Sequence, residues 1–136
     1  MWRFARLVVL AAGAAFAPAA VASPTLRLTI VHFVQGCHVW GNAAGEPTAP
    51  NRTIVVQHGT RLEIRINCPM SFDFTQLSGP KLALGDPRTY QGTARTIRFV
   101  HAGMYKLQAV NVESSAQQGL QTLGPDNTLV LTVRVR

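Results

Sequence analysis

The stretch Thr53-Ile54-Val55-Val56-Gln57-His58-Gly59-Thr60-Arg61-Leu62-Glu63-Ile64-Arg65-Ile66-Asn67 reads as two short strands around a glycine turn. Apolar and polar residues alternate on both sides of His58-Gly59, and a period of two marks a strand with one buried face. In the second arm Leu62, Ile64 and Ile66 form the inward row, and Arg61, Glu63 and Arg65 the outward one. Isoleucine fills two of the three inward positions of this arm, and a β-branched side chain suits a pleated, half-buried surface. Cys68-Pro69 ends this arm, since proline has no N–H to give the ladder.

The same period extends in both directions. Upstream, Thr25 to Val34 sets Leu26, Leu28, Ile30, His32 and Val34 on one face until Gly36 interrupts it, and Cys37 to Trp40 reads as a short continuation closed by Gly41-Asn42. Residues 41–52 read as a loop. Downstream, Ser71 to Leu77 forms a strand with Phe72, Phe74 and Gln76 on one side. Residues 78–93 are rich in Gly and Pro and read as an irregular excursion. Thr96 to Val100 and Met104 to Val112 make a second hairpin about Ala102-Gly103. A loop from Glu113 to Asp126 leads to a last strand in which Leu129, Leu131, Val133 and Val135 alternate with Val130, Thr132, Arg134 and Arg136. No window carries a helical period. Seven to eight short strands separated by turns predict an all-β, Greek-key β-sandwich.

The beginning of the chain has a different character. Arg3 and Arg6 precede an uncharged run from Leu7 to Ala20, and Ala20-Val21-Ala22 offers the small-x-small pattern that signal peptidase accepts. The apolar run is shorter than the roughly 20 residues needed to span a bilayer. The expectation is a cleaved secretory signal over 1–22 and one domain over 23–136, periplasmic or secreted, with no transmembrane segment in the mature chain. Without 1–22 the chain keeps 11 basic and 6 acidic residues. The basic ones are spread thinly and lack aromatic platforms, so nucleic acid is not an expected partner. In an oxidising compartment Cys37 and Cys68 are expected to pair as a disulfide.

Three segments, in order, resemble the cupredoxins. The first is Ile54-x-Val56-x-x-Gly59-x-x-Leu62-x-Ile64-x-Ile66-Asn67, like that family's apolar strand, glycine turn and strand ending in Asn. The second is Phe99-x-x-x-Gly103-x-Tyr105-x-Leu107, and the third is the closing strand Leu129-x-Leu131-x-Val133-x-Val135. The resemblance spans most of residues 25–136 and implies the cupredoxin sandwich. It also implies where a type 1 copper centre would lie: one His after the glycine-turn strand, then Cys, His and usually Met before the last strand. Residues 109–128 contain no Cys, His or Met, and Cys68-Pro69-Met70-Ser71-Phe72 contains no His. Without the thiolate and imidazoles that stabilise such a centre, no cofactor is expected at that position.

If the topology follows the resemblance, Cys37, His38 and Trp40 gather near Cys68 and Met70 at one end, and His58, His101 and Met104 lie at the other. Two readings of the first group follow. In one, Cys37–Cys68 is a staple, Trp40 covers it, Met70 fills a gap and His38 faces water. The domain then acts as a binding module, and Gln117, Gln118, Gln121 and Thr122 present amide and hydroxyl groups to a protein, peptide or glycan. In the other, His38, Met70 and Trp40, with the two thiols, hold Cu(I) or Ag(I), because thioether and imidazole suit a soft monovalent ion. No close carboxylate pair, nucleophile elbow or phosphate loop is visible, and enzymatic activity is not expected.

Overall fold

The computed structural model describes residues 13–15, 17, 23–33, 38–112 and 128–136. Cys37 and the segment 113–127 lie outside the described residues, as does nearly all of 1–22. Ten strands follow in order: β1 (Thr25–His32), β2 (His38–Gly41), β3 (Pro47–Ala49), β4 (Asn51–Val56), β5 (Arg61–Asn67), β6 (Phe72–Ser78), β7 (Arg88–Thr89), β8 (Ala94–Arg98), β9 (Gly103–Asn111) and β10 (Thr128–Val135). They form two mixed sheets of five, ordered β3-β2-β1-β5-β8 and β4-β10-β9-β6-β7. The described chain is an all-β sandwich without a helix.

The inward rows read from the sequence meet between the sheets. Leu28 and Ile30 of β1, with Leu62, Ile64 and Ile66 of β5, face Phe72, Phe74, Leu107, Leu129, Leu131 and Val133 in one buried cluster. β1 pairs with β5 in parallel, Ile30 beside Ile66, and β4 pairs with β10 in parallel. The remaining pairings within each sheet are antiparallel. Trp40 is fully buried, and its indole Nε1–H donates to the Val130 carbonyl of the opposite sheet at 3.1 Å.

The strand count exceeds the expected seven to eight because of β3 and β7. Both are edge strands of two or three residues inside stretches rich in Pro and Gly. So short an element shows no period, and an edge position tolerates Pro47, whose missing N–H can face away from the pair.

The strand termini sort into the two ends of the sandwich. The ends of β1, β5 and β9, the starts of β2, β6 and β10, and residues 68–71 lie at one; the turns at His58-Gly59 and His101-Ala102 close the other. Hydrogen bonds from His58 N to Arg136 O and from Gly59 N to Phe99 O knit that second end together.

Candidate functional site

His38 opens β2 and lies on its inner face, the face that also carries Trp40 two residues later. Its side chain is 1% exposed, and neither ring nitrogen has a hydrogen-bond partner among the described residues. This corrects the expectation that His38 faces water. The cause is the β1–β2 register, which sets His38 directly opposite His32 and turns it toward the second sheet. There Phe72 meets the imidazole edge-on, with ring centroids 5.3 Å apart. On its other side the His32 ring stacks on it, centroids 5.2 Å apart and planes 19° from parallel. His32 itself is exposed.

A buried polar group without a partner costs about 1–3 kcal/mol, so this imidazole is unusual for a core residue. Burial holds its pKa down at about 4, from an ordinary 6.5, and the neighbouring His32 lowers it further. At neutral pH His38 is therefore uncharged. A neutral imidazole with an open nitrogen lone pair is the form that ligates a metal.

Cys68 and Met70 lie at the same end. Ile30 and Ile66 are neighbours across β1 and β5, so His32, the last residue of β1, and Cys68, one residue past β5, each continue those rows toward the same end. The Cys68 thiol is buried and free, and burial pushes its pKa up to about 11 although the Met70 backbone N–H opposes that. Its expected disulfide partner, Cys37, lies outside the described residues. The Met70 side chain is 4% exposed, and its sulfur accepts a hydrogen bond from Asn111 Nδ2. Trp40, Cys68, Met70 and Phe72 belong to one buried cluster. Since the indole N–H of Trp40 is committed to Val130, only its ring face remains for a ligand.

The structure sets His38 against His32 and Phe72, and Cys68 and Met70 lie on the connection between β5 and β6 at the same end of the sandwich. His58, His101 and Met104 stand exposed at the opposite end. His32 is the addition. Sequence reading placed it on the inward row of β1 but had no means of setting it against His38. Among the described residues no three of His, Cys, Asp and Glu cluster as metal ligands; the donors here are two imidazoles, one thioether and one protonated thiol. Gln117, Gln118, Gln121 and Thr122 lie outside the described residues.

No protein-family model and no curated protein sequence matches the chain. Among solved structures, the chain superposes on a multi-copper oxidase from Pseudomonas thermotolerans with a TM-score of 0.51 at 14% identity, covering 86% of this chain and 30% of the oxidase. The chain therefore spans less than a third of that enzyme. A reduced Cu(I) form of an amicyanin variant gives a TM-score of 0.44 at 17% identity, covering 89% of this chain and 90% of amicyanin. A purple cupredoxin from Nitrosopumilus maritimus gives 0.44 at 16% identity, covering 79% of this chain and 98% of that one. Two five-stranded mixed sheets, packed and superposed in this way, give the chain a cupredoxin-like fold.

Proposed function

We propose that the chain is an exported soft-metal protein, binding one Cu(I) or Ag(I) ion at the end that holds His38. The observation that supports this reading is the His38 imidazole, buried, neutral and with both nitrogens unpartnered among the described residues. A ligand would repair that deficit. Imidazole from His38 and His32 and thioether from Met70 form a donor set that favours a soft monovalent ion, and the Trp40 ring can face a cation. Exposed His32 offers the way in. The Cys68 thiol is protonated and does not cluster with the two histidines, so it stands outside this set.

The donors do not fit a type 1 copper centre. Such a centre needs a thiolate and a second imidazole on the connection before β10, and residues 109–128 supply neither. Export is supported by the Arg3–Ala22 pattern. No helix among the described residues is long and apolar enough to cross a membrane.

The test is native mass spectrometry of the mature protein with stoichiometric Cu(I), followed by competition against a Cu(I) chelator. One bound ion with quenched Trp40 fluorescence is expected, with loss of binding in His38→Ala and about tenfold weaker binding in His32→Ala. A wild-type protein that takes up no copper, or a folded His38→Ala that binds as tightly, would overturn the proposal.

A further inference from the structure

At the opposite end a cavity of about 630 Å³ opens between β5, the edge strand β8 and the segment that follows β6. Its lining includes three cations, Arg61, Lys81 and Arg98, with Thr96, Leu82 and Tyr105. Two of the cations are forced together: Arg61 and Arg98 are directly opposite in the β5–β8 ladder. Like charges in that position repel and weaken a sheet.

No carboxylate among the described residues relieves them. Glu63 pairs with Arg27 at 3.7 Å and Asp73 with Arg88 at 2.9 Å. Glu46 accepts from Asn42 Nδ2, and Asp86 from the Arg88 backbone N–H. The one side-chain partner in view for Arg98 is the neutral Ser23 hydroxyl, at 3.4 Å.

The third cation sits on a wall that is held in place. Gln76 of β6 donates to the Pro80 carbonyl at 2.7 Å and accepts from the Leu82 N–H at 2.9 Å, so one amide grips the chain on both sides of Lys81. Gly79, with φ +105°, lets this segment lie directly on β9; a Cβ there would collide with the Met104 carbonyl and come within 2.9 Å of Tyr105 Cα. The backbone at Lys81 is thereby held on the cavity wall.

We infer that this groove is an anion-binding site, distinct from the His38 end, for a ligand carrying clustered oxyanion groups, phosphate or carboxylate. Two arginines and a lysine line one cavity. Planar guanidinium matches both oxyanions in a bidentate way, and a bound polyanion cancels the Arg61–Arg98 repulsion.

Calorimetry with tripolyphosphate and with citrate as probes, at low ionic strength, tests the site. Arg61→Gln/Lys81→Gln/Arg98→Gln is expected to lose at least about tenfold in affinity for the preferred probe, judged against two to three charge-assisted hydrogen bonds. The comparison is Lys106→Gln/Arg134→Gln/Arg136→Gln, which removes the same charge elsewhere and is expected to change affinity less than about threefold. Preference for tripolyphosphate or for citrate identifies the oxyanion, and either supports the site. Absence of saturable binding, or equal loss in both triple variants, would show net-charge attraction alone and overturn it. Copper binding at His38 should be unaltered in the groove variant, so this result and the copper result stand or fall separately.

Discussion

His38 couples the fold to pH. An unfolded chain protonates this histidine near its ordinary value of about 6.5, whereas the folded protein resists until about pH 4 because burial and His32 disfavour the charge. Between those values the unfolded state binds the extra proton, so stability is full above about pH 6.5 and falls as pH drops toward 4. Urea titrations at pH 7, 5.5 and 4.5 should show that decline in the metal-free protein, and His38→Leu should flatten it. At pH 7 the same substitution is expected to leave stability level or improved, because an apolar side chain replaces a polar group with no partner among the described residues. Cys68 gives a second expectation at this scale. With its pKa raised to about 11 and its side chain buried, the thiol should resist iodoacetamide at pH 8 in the folded protein. It should react within minutes in denaturant; protection in both states until a reductant is added would instead reveal a disulfide to Cys37.

Among the elements, the segment between β6 and β8 depends on one side chain. Arg95 of β8 is almost buried and donates to the carbonyls of Leu84, Asp86 and Arg88 and to the Thr89 hydroxyl, while its guanidinium lies 5.1 Å from the Phe74 ring centroid. Desolvation lowers its pKa, and carbonyl dipoles stand in for a carboxylate partner. Arg95→Met keeps the length of the stem and removes every donor. It should cost about 1–3 kcal/mol and raise protease cleavage and amide exchange within residues 82–90, with β9 and β10 still protected. This same segment shows where sequence reading stops. The long strands were legible because a buried face repeats every second residue over six to nine positions. β3 and β7 were not, since two or three residues carry no period, and the Arg95 clasp was hidden because its partners are backbone carbonyls of no particular residue type. The pairing of His32 with His38 was hidden for another reason. Alternation gives each strand its inner face, but the register between strands is a property of the folded ladder.

For the whole molecule, the contact between the sheets through Trp40 makes a direct test of the sandwich. Trp40→Phe removes the indole bond to the Val130 carbonyl and leaves a small void. A loss of about 2–4 kcal/mol is expected from those two effects, measured as a lower urea midpoint with an unchanged slope. The two-ended arrangement of the histidines was legible only through the cupredoxin resemblance, because alternation along each strand does not say which connections share an end. What each end could hold was only partly legible. Residue types named the metal candidates, whereas the cation groove draws Arg61, Lys81 and Arg98 from three separate segments and needed the assembled structure.

β10 follows the other nine described strands in the chain yet lies inside its sheet, hydrogen-bonded to β9 on one side and in parallel to β4 on the other. Its inner residues, Leu129, Leu131, Val133 and Val135, fill the centre of the core. During synthesis, therefore, β4 has no neighbour until residues 128–135 have left the ribosome, and the second sheet cannot close around a missing middle. Closure also waits on contacts between residues far apart in sequence, which form slowly. A nascent chain of this design leaves its second sheet open, with β4 unpaired, until residues 128–135 have been made.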